Sequence, residues 1–383
     1  MNARLRARLT DAYHQVVFRG SRAFRGIDRN KVVFSCFKGR GYGDNPRCIS
    51  ERLHQRRPET DIVWLFNYDA MRTPPANLPD YVRRVFIDSS DACRELATAR
   101  VWVDNFTRDA RFAPQKGRQF YMQTWHGDRP IKKICYDTGL PDYRLEEVAD
   151  LVLTGSEFGE RMYRTAFRYP GEYLRAGAPR NDALVREDPA EVRAMREKLG
   201  VTDDTGLLLY APTYREFGEI VPREVQMDLG RTLSCLEEKT GRCWVCMFRA
   251  HYKSAGIDID AVKDRIMDVT RYPEMTDLLL AADLLLTDYS SAATDYVLRG
   301  DRPAIFYIPD WERYSAAHGV YYDVHDTPFM IAHDQAELEA LIGGLTEEAT
   351  RENCAAINRW FGCYETGRAT DAACDYIIDK LGE

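Results

Sequence analysis

No stretch of this 383-residue chain approaches the ~18 uninterrupted apolar residues of a membrane-spanning helix. The longest candidate, Leu278 to Leu286, is broken by Asp283, which excludes a spanning segment there. The N-terminus has no continuous apolar core followed by a small-residue cleavage site, so it is not a secretory signal and the expected location is cytoplasmic. Ten cysteines are scattered without the density of a disulfide scaffold, which fits a reducing compartment. The one close pair, Cys243 and Cys246, has neither a second pair nor ligand histidines beside it, and Cys243 to Phe248 reads as a buried strand. A complete G-x-G-x-x-G fingerprint is missing, because the third glycine after Gly39 and Gly41 is misplaced, and this argues against NAD. Asp203 with Asp204 and Asp258 with Asp260 lie in polar sequence without flanking strands, so no metal site is expected. A net charge of −7 argues against a general nucleic-acid binder and leaves room for local basic patches. Internal repeats and low-complexity segments are absent as well.

What the chain has is length for two to three domains and an alternation of strands and helices from Lys31 onward. Val32 to Phe37, Ile62 to Phe66, Val82 to Ile87, Val101 to Val103, Phe120 to Met122, Asp150 to Leu153 and Tyr173 to Ala176 read as strands of one doubly wound half. Polar sequence from Glu187 to Gly206 reads as a helix and linker. A second α/β half follows, with strands at Leu207 to Tyr210, Trp244 to Phe248, Leu284 to Leu286 and Pro303 to Ile308. The expected domains are a basic helix over 1–30, an acceptor-side Rossmann-like domain over 31–190, a second Rossmann-like domain over 200–345, and C-terminal helices over 346–383, with Ala349 to Leu381 helical. Residues 1–31 carry eight basic against two acidic side chains, and Leu5, Leu9, Ala12, Tyr13, Val16 and Val17 share a helix face. That pattern permits docking on an anionic membrane surface, and equally a helix packed on the domain with a solvated basic side.

Polar residues gather where strands end. The run from Gln123 to Lys133 places His126 after a buried strand, Gly127 at a turn and Pro130 at the first position of a helix, so that an imidazole and three cations, Arg129, Lys132 and Lys133, face a crevice suited to an anionic ligand. Gly39 to Pro46 forms a glycine-rich turn suited to acceptor binding. Thr154 with Glu157 fits a capping box. Arg180 ends another strand, either holding a phosphate or pairing with Asp182. In the second half, Pro212 with Thr213, Arg249 to Tyr252, and Ser290 with Ser291 occupy the same kind of position. Ser290 and Ser291 sit either as a phosphate site or as an ordinary helix cap, and Asp295 lies on the same helix face as Ser291.

With these loops in place the chain resembles the CDP-glycerol glycerophosphotransferases, the teichoic acid primase and polymerase family. The segments that carry the resemblance are FKGRGYGDNP from Phe37, QTWHGDRPIKK from Gln123, GAPRND from Gly177, YAPTYRE from Tyr210, FRAHY from Phe248 and LLTDYSSAATDY from Leu285. The resemblance implies two Rossmann-like domains in a GT-B-like arrangement with the active site in the interdomain cleft. It further implies that Trp125, His126, Gly127, Asp128, Arg129, Arg180, Pro212, Thr213, Arg249, Ala250, His251, Ser290, Ser291 and Asp295 contact CDP-glycerol. The implied reaction is attack by an acceptor hydroxyl on the glycerol-bearing phosphorus with release of CMP. His126 would be the general base and His251 would steady the diphosphate. CDP-glycerol is then a co-substrate, no cofactor or metal is needed, and the acceptor is a lipid-linked or polymeric glycan at the inner face of the membrane. Where family members carry a small hydroxyl residue and Pro-Leu-Lys after His-Gly, this chain has Asp128, Arg129, Pro130 and Ile131, which bears on the acceptor and polyol more than on the chemistry. CDP-ribitol is the alternative donor, and a glycosyltransferase using a nucleotide sugar is the alternative class.

Overall fold

A computed structural model of the chain describes residues 3–107, 112–139, 148–213, 227–249 and 260–383. Two compact units emerge. The first comprises residues 1–128, 139–182 and 364–383, and the second 129–138 and 183–363.

The first unit is built on seven parallel strands: β1 (Asp28–Ser35), β2 (Asp61–Phe66), β3 (Arg83–Phe86), β4 (Ala99–Asp104), β5 (Phe120–Gln123), β6 (Leu151–Thr154) and β7 (Glu172–Arg175), in the order β3-β2-β1-β4-β5-β6-β7. The apolar runs are continuous because both faces are covered, as parallel sheets require. Alternate residues divide between the faces. Val32, Phe34, Ile62, Trp64, Val101 and Val103 pack against Ile49 and Leu53 of the helix Asp44–Arg56 and against Ala373, Cys374, Ile377 and Leu381 of the helix Ala369–Gly382. Val33, Val63, Leu65, Trp102 and Tyr121 pack on the other face with Phe18 and with Ala92, Cys93 and Leu96 of the helix Ser90–Thr98.

The second unit has six parallel strands: β8 (Gly206–Ala211), β9 (Trp244–Phe248), β10 (Ile266–Asp268), β11 (Leu284–Thr287), β12 (Ala304–Tyr307) and β13 (Met330–Ala332), in the order β10-β9-β8-β11-β12-β13. Its core runs through Leu208, Leu233, Cys246, Leu286, Ile305 and Leu338. The α/β class with two parallel, Rossmann-like sheets is thus the one the sequence implies.

The chain's tail holds two helices within the 346–383 range expected to be helical. The helix Glu347–Phe361 stops at Gly362, whose φ of 60° is the left-handed stop that glycine takes without strain. A separate helix, Ala369–Gly382, then rejoins the first unit, where the Asp182 carboxylate accepts hydrogen bonds from the backbone N–H groups of Ala369 and Thr370, both at 2.8 Å. The N-terminal helix, Ala3–Phe24, also belongs to the first unit. It docks through Phe18, whose ring meets Phe112 and Trp102 edge-on, and leaves Leu5, Leu9, Tyr13 and Val16 exposed.

Candidate functional site

In each sheet the chain reverses its direction of strand addition once, between β1 and β4 in the first unit and between β8 and β11 in the second. Loops leaving the carboxyl ends of such neighbouring strands diverge and open a crevice for a ligand. Most of the polar residues singled out in the sequence lie on these loops or on those next to them.

In the first unit, β5 delivers Gln123, Thr124, Trp125 and His126. Gln123 is fully buried. Its Oε1 accepts from the Trp125 N–H at 2.9 Å and its Nε2 donates to the Tyr121 hydroxyl and the Phe106 carbonyl. This fixes Trp125 at φ 48°, a left-handed conformation that a bulky residue adopts only when its surroundings impose it. Phe37, Lys38 and Asp44, on the loop after β1, also have positive φ, at 44°, 57° and 55°. At roughly 1–3 kcal/mol each, such residues tend to collect where a fold holds a working geometry. Gly39 belongs to the same loop. At φ +81° it approaches the end of β2 so closely that a Cβ would lie 2.6 Å from the Asn67 nitrogen.

His126 stands against the switch point. Its Nδ1 lies 2.7 Å from the carbonyl oxygen of Asn105, the residue after β4. A carbonyl can only accept, so Nδ1 carries the proton and Nε2 is left with a bare lone pair. The ring lies parallel to Phe106, with centroids 5.4 Å apart and planes at 8°, and also contacts Trp125 at 4.2 Å and Phe37 at 5.2 Å. Burial among these rings pulls the imidazole pKa down. The Asn105 carbonyl and Asp44 oppose that shift, and Arg180 adds to it. The result is a neutral imidazole at neutral pH with its basic nitrogen unblocked by Asn105.

Asn105 is itself fully buried and binds the Phe37 N–H through Oδ1 at 2.8 Å, which ties the β1 and β4 loops together. Asn45, equally buried, donates to the Trp125 carbonyl at 2.9 Å and accepts from the Arg180 N–H at 3.0 Å. The Arg180 side chain pairs with Asp44 at 3.2 Å, not with Asp182, which is occupied in capping the last helix. His126, Trp125 and Arg180 are therefore brought together, by way of Asp44 and Asn45.

Other sequence expectations give way here. No helix starts at Pro130. Lys132 forms an antiparallel bridge with Val320, and flanking bonds from the Lys133 N–H to Gly319 and from the Tyr321 N–H to Ile131 hold the segment extended. The cap of the helix Glu157–Ala166 is Ser156, whose Oγ accepts from the Gly159 N–H at 2.9 Å. Thr154 instead donates through Oγ1 to Asp128. The Asp128 carboxylate is buried and also receives the Gly155 N–H and the Ser156 hydroxyl, both at 2.8 Å, so it anchors the turn after β6. Gly127, at φ 145°, links it to His126.

In the second unit, the loops after β8 and β11 are joined by the Thr213 N–H, which donates to Asp288 at 2.7 Å, and by the Thr287 hydroxyl, which donates to the Ala211 carbonyl at 2.6 Å. Pro212 and Thr213 thus lie beside Ser290 and Ser291. The Ser290 Oγ accepts from the Ala292 N–H at 3.2 Å, and the helix that follows, Ala292–Tyr296, is only five residues long. The helix passes directly into a 3₁₀ turn, Val297–Arg299, so helical backbone reaches Leu298. Asp295 pairs with Arg129 at 3.4 Å, and the Arg129 side chain is only 1% exposed. Arg249 follows β9, its N–H bonded to the Tyr210 carbonyl at 2.9 Å. Its Nη1 is sealed from solvent with no hydrogen-bond partner among the described residues, and burial lowers its pKa while Glu274 raises it. A buried, unsatisfied guanidinium nitrogen is suited to an anion. Ala250, His251 and Tyr252 lie outside the described residues.

Among the described residues no group of three or more histidine, cysteine or carboxylate side chains is placed to hold a metal ion. Cys246 is buried in β9, and burial pushes its thiol up to about 12, away from the thiolate that metal or redox chemistry needs. Sequence reasoning missed Asn105, Asp288 and the pairing roles of Asp44 and Asn45. The available signal was a carboxamide or carboxylate immediately after an apolar strand, as in Asp104-Asn105 and Thr287-Asp288.

Residues 17–379 match the family described as CDP-glycerol:poly(glycerophosphate) glycerophosphotransferase. The teichoic acid glycerol-phosphate transferase of Staphylococcus aureus is 27% identical over 372 residues, covering 92% of this chain and 93% of that protein. The teichoic acid poly(glycerol phosphate) polymerase of Bacillus subtilis is 28% identical over 331 residues, covering 82% of this chain, so the chain matches only 43% of that relative's length. Among solved structures, the wall teichoic acid polymerase TagF superposes with a TM-score of 0.82 at 25% identity, over 97% of this chain and 93% of that one. With nearly its whole length matched, the chain belongs to the CDP-glycerol:poly(glycerophosphate) glycerophosphotransferase family.

Proposed function

We propose that this chain transfers glycerol phosphate from CDP-glycerol to a hydroxyl of a glycan or teichoic-acid-like acceptor and releases CMP, a phosphotransferase reaction of the EC 2.7.8 type. The observation that carries the reading is His126, a desolvated imidazole whose Nδ1 proton is committed to Asn105. Its Nε2 takes the proton of the acceptor hydroxyl as the hydroxyl oxygen bonds to the glycerol-bearing phosphorus. The bond from that phosphorus to the CMP phosphate breaks, CMP leaves, and the proton passes from His126 to solvent. As the family resemblance implies, Arg180 and Arg249 supply positive charge for the phosphoryl oxygens, which is most of what phosphoryl transfer asks of a protein. Trp125, Gly127, Pro212, Thr213, Ser290 and Ser291 shape the donor's surroundings. Asp128, Arg129 and Asp295 act on it by holding their loops. His251 and Ala250 retain the roles the family resemblance implies.

The acceptor is proposed to be lipid-linked, and the Ala3–Phe24 helix to lie on an anionic membrane surface on the cytoplasmic side. Its exposed Leu5, Leu9, Tyr13 and Val16, flanked by arginines, form a face suited to that role.

The test is CMP release from CDP-glycerol, CDP-ribitol and UDP-sugars with a lipid-linked disaccharide acceptor in the presence of chelator, comparing wild type with His126→Ala. Release from CDP-glycerol that survives chelation and falls by about 10²–10⁴ in the variant is expected. Turnover of a UDP-sugar without turnover of any CDP-polyol would replace this reading with a glycosyltransferase.

A further inference from the structure

The first unit holds an open pocket of about 420 Å³ lined by Arg40, Asp69, Ala70, Arg72, Thr73 and Pro75. Its walls come from the loop after β1 and from the helix Tyr68–Arg72 that follows β2. The two are fastened together, since the Asn67 N–H donates to the Gly39 carbonyl at 2.8 Å while the Asn67 side chain caps the helix at the Ala70 N–H. The two segments approach so closely that a Cβ at Gly39 would lie 2.6 Å from the Asn67 nitrogen. The same loop reaches His126 through Phe37, three residues before Arg40.

Several other arginines on the same unit are paired. Arg83 is bound by Asp61 and Glu95, Arg100 by Glu383, Arg175 by Glu160 and Arg180 by Asp44. Arg40 and Arg72 have neither an ion-pair nor a side-chain hydrogen-bond partner among the described residues. Arg72 does lie over the Tyr68 ring, 5.6 Å from its centroid, a contact that orients a guanidinium without neutralising it. Tyr68, beneath it, is 61% exposed. Two forked donors held in no ion pair among the described residues suit a phosphodiester. Asp69 and Thr73 beside them suit hydroxyl groups.

We propose that this pocket binds the acceptor, holding a phosphodiester of its polyol phosphate chain between Arg40 and Arg72 so that the chain's terminal hydroxyl is presented toward His126. The proposal rests on the transfer reaction above and adds to it the residues that hold the acceptor. An acceptor lacking phosphate gains nothing from the two guanidinium groups, so the pocket favours a chain that already carries glycerol phosphate.

The experiment uses the full chain and a synthetic phosphodiester-linked glycerol phosphate trimer, with glycerol as the uncharged control. Binding of the trimer is measured by calorimetry with no donor present, at low and high salt, for wild type, Arg40→Gln, Arg72→Gln and the double variant. Thermal unfolding confirms that each is folded. Expected are salt-sensitive binding to wild type, weakening of about tenfold or more in the double variant, partial recovery when lysine replaces either arginine, and an unchanged Kd for CDP-glycerol. Trimer affinity in the double variant within twofold of wild type, or no binding to wild type, overturns the proposal. Because this readout needs no turnover, absence of CMP release in the assay above would count against the transfer reading alone.

Discussion

Arg129 and Asp295 stand 166 positions apart in sequence, yet their side chains meet at 3.4 Å with the guanidinium 1% and the carboxylate 10% exposed. Both belong to the second unit, with Arg129 on a short excursion of chain, residues 129–138, and Asp295 on the short helix after β11. A buried pair of this kind gains little net stability over an apolar pair, but removing one member strands the other charge. Asp295→Asn is expected to lower unfolding stability by about 3–5 kcal/mol, and a double replacement by Met and Leu to recover most of it. Denaturant midpoints of the single and double variants decide this, since a purely ligand-binding Asp295 would leave them unmoved.

His126 sets the expected pH dependence. Burial lowers its pKa from the ordinary value near ~6.5, so the neutral base is already formed at neutral pH. Activity should therefore rise with pH on the acid side, with a midpoint below ~6.5, and be level through neutrality. Stability follows the same direction. The unfolded chain binds the His126 proton more readily, so the contribution of neutral His126 is present above the unfolded pKa and is lost as pH falls below it. His126→Gln should remove the activity limb and flatten this part of the stability profile. A kcat/KM profile and an unfolding series between pH 5 and 8 are the measurements, as orders of acidity on the ~6.5 scale.

Asp128 follows His126 by two residues, and its carboxylate is taken up by the turn after β6. It accepts from Thr154, Gly155 and Ser156, three successive residues at the end of β6. Asp128→Ala is expected to cost about 1–3 kcal/mol by leaving the buried Gly155 N–H without this acceptor. A change in KM for donor should follow only as the turn relaxes, so Asp128→Asn, which keeps an acceptor oxygen, should restore most of the activity. Equal loss in both variants would instead place the charge of Asp128 on the substrate.

Strand positions and the parallel class were legible because Val32–Phe34, Ile62–Phe66 and Leu284–Leu286 are unbroken apolar runs, which only a sheet covered on both faces buries. The strand-end loops were legible for the same reason, since they begin where those runs stop. What failed depended on partners distant in sequence. Pro130 carries a helix-start signal, but the backbone bonds from Gly319 to Tyr321 hold it extended. Arg180 had a near carboxylate in Asp182 and found Asp44 instead, 136 positions away. The run from Ala349 to Leu381 is helical in composition throughout, and the left-handed Gly362 and the cap from Asp182 set where its two helices divide.

The N-terminal helix has two apolar faces, so packing on its domain leaves a second face for the membrane docking proposed above. Phe18, 4% exposed, anchors one against Trp102 and Phe112, which accounts for a helix packed on its domain. Leu5, Leu9, Tyr13 and Val16 are 50–68% exposed and recur every three or four residues, so they line a second stripe that the unit does not cover. Arg19 lies on the following turn, whereas Arg22 faces the unit and donates to the Ala113 carbonyl and to Gln119. Burying four such side chains in a headgroup layer is worth several kcal/mol at ~25 cal/mol per Å², and each nearby arginine adds about 1 kcal/mol on an anionic surface. Replacing Leu5, Leu9 and Val16 with serine should abolish co-sedimentation with vesicles containing phosphatidylglycerol. It should leave the thermal midpoint almost unchanged, because none of the three contributes to the core. Phe18→Ala should do the reverse, lowering stability by about 3–5 kcal/mol. Retained vesicle binding in the triple serine variant would return the helix to a purely structural part, and its arginines to ordinary solvated surface.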